Sequence, residues 1–202
     1  MVMSDKKQAP GELGIVQAFV NTLDVEEDDE QLVSPAALAA WLSDHGLTPT
    51  KSVRARTVDL ENAIRLREAL RSILLAHVES EPVPTGAAME LDVVACRSRL
   101  RLRFDRDGGA ALEPQASGVD GALGRLLAIV QRAIETGSWE RLKACRQDGC
   151  AWAFYDRTKN HSGAWCSMEV CGNRAKARSY RERRASGEVA GASIRRRARM
   201  NE

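Results

Sequence analysis

Four cysteines crowded into 27 residues constrain this chain more than any other feature. Cys145, Cys150, Cys166 and Cys171 follow the spacing C-x4-C-x15-C-x4-C, while the fifth cysteine, Cys96, stands far upstream. An even set of cysteines reads as disulfides in a short exported chain. Here the first residues, MVMSDKKQAPGELG, contain no apolar run of the kind a secretion signal needs. A cytoplasmic, reducing setting is therefore expected, and in it the two Cys pairs read as the donor set for one structural Zn2+. Thiolates suit this borderline-soft ion, and four of them close its coordination shell. A switchable disulfide pair and four incidental thiols are the alternatives. His161, between the pairs, is a further donor that four cysteines make unnecessary.

The cysteine window also marks a change in charge. Residues 1–140 hold 15 Lys and Arg against 22 Asp and Glu, a net of −7, whereas residues 141–202 hold 15 against 6, a net of +9. The overall +2 averages two regions with different partners. No stretch reaches the roughly 20 apolar residues of a bilayer-spanning helix.

Upstream of the window the periodicity predicts an α+β domain with about four helices and a small antiparallel sheet, over residues 13–138 after a disordered lead-in at 1–12. Leu13, Val16, Phe19, Val20 and Leu23 keep helical spacing, and the acidic run VEEDDEQ reads as a solvated loop. Ser34-Pro35 is a helix start with Ser as N-cap, and Gly46 is the matching stop; Leu38, Trp41 and Leu42 form its buried face. A longer helix is predicted from about Lys51 to Glu79, broken by EPVPTG. Leu91, Val93 and Ala95 alternate with Asp92, Val94 and Cys96, which predicts a strand with Cys96 as a buried thiol. Leu100, Leu102 and Phe104 alternate with Arg101, Arg103 and Asp105, predicting a second strand that turns at DRDGG. Residues 119–136 make an amphipathic helix on Leu123, Leu126, Leu127, Val130, Ala133 and Ile134, closed by Gly137.

Past Gly137 the aromatic residues gather, and Trp152, Phe154, Trp165 and Tyr180 are expected to supply the core of a zinc module too small to build one from aliphatics. The Ala- and Arg-rich stretch from Asn173 to Ser186 reads as a helix whose first turn carries the last ligand. Residues 187–202 read as a flexible basic tail.

These residues carry a family resemblance. WCSMEVCGNRAKARSYRERR, preceded by CRQDGCAWAFYDRT with its F-x-D element at Phe154–Asp156, resembles the CGNR-type zinc finger, named for residues matching Cys171, Gly172, Asn173 and Arg174. AFVNTL, the acidic loop and the Pro-started helix resemble the ABATE domain that precedes such fingers; members often carry an acidic residue just before the Phe, where this chain has Gln17-Ala18. The resemblance implies a treble-clef finger over 139–186 that binds DNA, joined to a domain that senses an unidentified ligand, in a family of stress-induced transcription regulators.

The residues themselves lead the same way. Arg174, Arg178 and Arg181 recur along one helical stripe, and Lys176, Arg183 and Arg184 widen a basic surface suited to duplex DNA. The structural alternative has Asn173 capping the helix and Arg174 pairing with Asp156. A single finger covers few base pairs, so a homodimer would extend the contact. The alternative function is a protein–protein interaction module with zinc as scaffold. Catalysis is not expected: four thiolates leave zinc no open position, and no nucleophile elbow, P-loop or H-E-x-x-H occurs. His45 and His77 sit where capping or packing accounts for them.

Overall fold

A computed structural model describes residues 7–48 and 53–185. The chain divides between Cys166 and Ser167 into two compact units. The elements of the first are helix α1 (Leu13–Val20), strands β1 (Leu23–Asp24) and β2 (Asp29–Glu30), helices α2 (Pro35–Asp44), α3 (Thr57–Glu79) and α4 (Thr85–Ser98), strands β3 (Leu100–Phe104) and β4 (Ala110–Pro114), helix α5 (Gly118–Glu135), a 3-10 turn at Trp139–Arg141, and strands β5 (Leu142–Ala144) and β6 (Ala153–Tyr155). In the second unit a π turn at Met168–Gly172 runs into helix α6 (Asn173–Ala185). The strands form three separate two-stranded antiparallel sheets, β1–β2, β3–β4 and β5–β6.

The core of the first unit lies where α1, α3 and α5 meet, with α2 and α4 packed against that trio. α1 inserts Val16, Phe19 and Val20, α3 inserts Leu66, Leu70 and Leu74, and α5 inserts Leu123 and Leu126. Ser34 caps α2 as its sequence predicts, its Oγ accepting the Ala37 amide at 3.1 Å. Gly46 then leaves the helix with φ of +68°, a conformation that a side chain would strain. α3 begins at Thr57, later than its periodicity suggests, because Asp59 caps it by accepting the Arg56 amide at 2.8 Å; residues 49–52 lie outside the described part.

Two arginines on α3 organise the acidic loop. Arg67, 2% exposed, donates to Glu30 Oε1 at 2.7 Å and Thr22 Oγ1 at 3.2 Å, and Arg71 donates to the carbonyls of Val20 and Leu23. The run expected to be a solvated loop is thus a β1–β2 hairpin with Glu30 drawn inward, while Glu26 and Glu27 remain exposed.

Three further expectations are corrected. The LDVVAC run belongs to α4, so the described residues between 13 and 138 carry five helices. Ala87, Leu91, Val94 and Ser98 recur at helical spacing and turn toward the core, while Val93 and Cys96 are exposed. Consecutive valines satisfy both a strand's alternation and a helix's stripe, and packing against α3 and α5 selects the helix. Ile134, assigned to the apolar face of α5, is 58% exposed, because that face has already turned away at the last helical turn. Residues 7–12, expected as disordered lead-in, are held by Gln17, whose side chain accepts the Ala9 amide at 2.7 Å and donates to the Lys7 carbonyl at 3.1 Å. The β3–β4 hairpin forms as predicted, pairing Leu102 with Leu112, though Leu102 and Phe104 stay on the surface. The tail at 187–202 lies outside the described residues.

Candidate metal centre

The first cysteine pair sits on a hairpin. β5 and β6 pair Leu142 with Tyr155, Lys143 with Phe154 and Ala144 with Ala153, and all six residues are buried. Past the strands the Cys145 amide donates to the Trp152 carbonyl at 2.9 Å and the Cys150 amide to the Gln147 carbonyl at 3.0 Å. These bonds bend the C-x4-C loop into a knuckle, with Gly149 and Ala151 at positive φ.

The second pair comes after a loop closed by one buried ion pair. Lys143 Nζ donates to Asp156 Oδ2 at 3.0 Å, with side-chain exposures of 5% and 0%. Asp156 also accepts the amides of Thr158 at 2.9 Å and Gly163 at 2.8 Å, and Lys143 reaches the His161 carbonyl. A Cβ on Gly163 would stand 2.7 Å from the Asp156 carboxyl carbon, so a glycine is required there. Burial by itself would raise the Asp156 pKa, but these donors outweigh it and hold the carboxyl below the usual carboxylate range. The Arg146 amide, donating to the Ala164 carbonyl at 3.0 Å, ties the loop end to the knuckle. The Asp of the F-x-D element therefore sets the path toward Cys166, and its cation is Lys143, a pairing that sequence reasoning missed in favour of Arg174. A lysine two residues before a ligand cysteine, on a strand of otherwise buried residues, was the available signal.

All four sulfurs of Cys145, Cys150, Cys166 and Cys171 lie within 4.8 Å of one another, and all four residues are buried. Tetrahedral Zn–S bonds of about 2.3 Å place sulfurs about 3.8 Å apart. The Cys150 and Cys166 sulfurs are separated by 3.7 Å. Four buried thiols cannot all ionise without a cation. Hydrogen bonds from Cys150 and Cys166 hold Cys145 far below the usual thiol range, while donating to Cys145 pushes Cys150 and Cys166 upward. A divalent ion removes that conflict by stabilising every thiolate at once. The donor set fits one structural Zn2+, with zinc supplying cross-links rather than an open coordination position. His161 is exposed and stands apart from the cluster.

Within the second unit, Ser167 Oγ accepts the Val170 amide at 3.3 Å at the start of the π turn. Asn173 Nδ2 donates to the Glu169 carbonyl at 2.9 Å, a bond back to the preceding turn and not the amide-accepting helix cap foreseen for it. No residue of α6 is buried. Arg174, Lys176, Arg178, Arg181, Arg183 and Arg184 are all exposed on it; Arg181 Nε donates to the Ala177 carbonyl at 3.3 Å, and Arg184 lies 5.9 Å from the Tyr180 ring centre. Tyr180, expected in the module core, is 49% exposed, whereas Phe154 is fully buried. The core role falls to Phe154 because β6 is enclosed, and α6 offers no such enclosure.

The hairpin does not stand alone. From α1, Asn21 exchanges two bonds with the Ala153 backbone, accepting its amide at 2.7 Å and donating to its carbonyl at 3.0 Å, and Gln17 Nε2 donates to the same carbonyl at 3.0 Å. From α3, His77 Nδ1 donates to the Leu142 carbonyl at 2.9 Å and meets the Trp139 ring edge to face at 5.3 Å. Lys7 donates to the Trp165 carbonyl at 3.1 Å and lies 4.5 Å from the centre of the Phe154 ring. Gln17 on α1 and Asn21 at its C-cap are four residues apart and together present two buried amides to the zinc hairpin. Two amides four residues apart on an otherwise apolar helix were the sequence signal for this contact.

No described helix is long and apolar enough to cross a membrane. No curated protein matches the chain. The family model of the CGNR zinc finger matches residues 141–184, which include all four clustered cysteines and all six cations of α6. The model of the ABATE domain, described as "Putative stress-induced transcription regulator", matches residues 14–136, covering α1 through α5 and more than half of the chain. The chain belongs to the ABATE family, and its ABATE domain is followed by a CGNR zinc finger.

Proposed function

We propose that the protein is a transcription regulator whose zinc finger contacts duplex DNA and whose ABATE domain senses a ligand. One observation carries the reading. α6 is a helix with no buried residue, and it bears six cationic side chains against a single acid, Glu182. A helix that is polar all round has no packing of its own to account for it, and a cationic one beside a structural zinc suits a polyanion. Arg174, Arg178 and Arg181 fall on one stripe, where they can bond phosphates or chelate guanine edges. The role is binding rather than catalysis, since four thiolates saturate the metal.

The test is fluorescence anisotropy on a duplex at rising salt. Affinity should fall steeply with salt. Replacing Arg174, Arg178 and Arg181 together with Gln should make the log–log slope shallower by about 2.7, because each phosphate no longer neutralised removes about 0.9. No binding at low salt, or an unchanged slope, would sink the assignment. A second reading, in which the finger is a scaffold for a protein partner, draws on the exposed Met168, Val170 and Tyr180. Partner capture that ignores salt, with no duplex binding, would favour it.

A further inference from the structure

A cavity of about 310 Å³ lies in the first unit between α1, α2 and the zinc hairpin, lined among others by Gln17, Ala18, Asn21, Trp41, His45 and Trp152. Its size sits at the lower end of small-molecule sites. No Asp, Glu, Lys or Arg is among its lining residues. Instead it combines flat rings with amides. Trp41 and His45 stack at 3.9 Å with an interplanar angle of 19°, and the His45 ring is fixed by donating from Nδ1 to the Trp41 carbonyl at 2.8 Å. The Trp152 indole N–H is buried and has no acceptor among the described residues. Buried donors are rarely left so, and a ligand acceptor is one way to satisfy this one.

The wall of this cavity is part of the metal centre's support. Gln17 and Asn21 line it and also hold Ala153, while the Trp152 carbonyl holds the Cys145 amide. Between Cys150 and Trp152 stands Ala151, a non-glycine residue at φ of +48°. Left-handed backbone at such a residue persists only where its surroundings enforce it. A molecule lodged against Trp152 and the two amides therefore acts on the residues that shape the Cys145–Cys150 knuckle.

We propose that this cavity binds a neutral, planar heteroaromatic ligand bearing a hydrogen-bond acceptor, and that its occupancy is coupled to zinc retention by the Cys145–Cys150 hairpin. The proposal rests on the ligand-sensing part of the proposed function and names the chemistry of the ligand. A lining without Asp, Glu, Lys or Arg disfavours an ionic ligand, which would be desolvated without a carboxylate, ammonium or guanidinium partner. Trp and His rings favour a flat one, and the amides and the indole N–H reward polar edges. Coupling is reciprocal: a ligand that steadies the hairpin retards zinc loss, and zinc loss weakens the ligand.

The experiment uses the zinc-loaded full chain with three uncharged bicyclic probes, 2-quinolone, isatin and quinoxalin-2-one, and the anionic naphthalene-2-sulfonate for comparison. Binding is measured by calorimetry, and zinc release by a chromophoric chelator. At least one neutral probe should bind one to one and slow zinc release. Ala18→Phe, which fills the cavity without touching the Ala153 bonds, should weaken that probe by at least about tenfold, equivalent to about 1.4 kcal/mol. Trp152→Phe, which keeps a ring and removes the donor, should weaken it as well and provides the reading should Ala18→Phe fail to fold. Absence of binding by all three probes, tighter binding of the sulfonate, unchanged binding in the variants, or zinc release indifferent to the probe would each overturn the proposal. Duplex affinity of the same preparations is read separately. Its loss with probe binding intact counts against the regulator reading alone, and the converse counts against the cavity alone.

Discussion

In the hairpin that carries Cys145 and Cys150 every strand residue is buried, and in the helix beyond Cys171 none is. Both belong to one zinc finger, yet different forces hold them. The hairpin has a buried ion pair, two amide side chains on Ala153 and a histidine on Leu142, all supplied by the protein. α6 has exposed arginines and the metal ligand at its beginning. A small finger ordinarily depends on zinc throughout. Here the ABATE domain braces the hairpin, and the metal is therefore expected to matter most for the π turn and α6.

Zinc removal should break this comparison most visibly. Structural zinc contributes about 10–16 kcal/mol in isolated finger peptides. Chelation, or Cys171→Ser, should abolish the far-UV signal of α6, a 13-residue helix, and open its arginines to trypsin. The near-UV signals of Trp139 and Trp152 should persist. Equal loss of both sets of signals would show that the hairpin depends on metal as fully as the helix does.

Asp156→Ala tests the hairpin's own support. It leaves Lys143 buried without a counter-charge, a change that typically costs about 3–5 kcal/mol. The expected outcome is a large fall in the thermal midpoint of the zinc-loaded chain together with weaker zinc binding, and pairing it with Lys143→Met should recover much of the loss. A midpoint within error of the native chain would remove the ion pair from the account.

His77 gives the smallest effect. Burial lowers its pKa from 6.5, with the Leu142 bond opposing, so the folded protein favours the neutral ring. Stability from this group is full above the unfolded value near 6.5 and falls as pH drops below it. Urea midpoints at saturating zinc should therefore decline between about pH 7 and about pH 5.5, and His77→Gln should flatten the decline. An identical slope in the variant would place the pH response elsewhere.

Much of the metal centre was legible because its chemistry is local. Thiolate spacing, the F-x-D element and the run after Cys171 identify the ligands and the helix from the chain alone. Ser34 and Gly46 likewise fix α2 through capping, an interaction over a few residues. The cation that Asp156 holds was not legible, because it is strand register that brings position 143 opposite 154 and carries Lys143 to the carboxylate. Register is not written in spacing.

What the sequence by itself determined is therefore the zinc donor set, the boundary between an acidic and a basic region, and most helix ends. Tertiary structure decided the rest. It made Leu91–Cys96 a helix, because α3 and α5 offer a surface that accepts Ala87, Leu91, Val94 and Ser98 together. It turned Gln17 and Asn21 from two polar residues on an apolar helix into the brace of Ala153. The physical reason is common to both. A buried amide or an ambiguous apolar run takes its role from partners more than a hundred residues away or on another helix, and only the folded chain brings them within bonding distance.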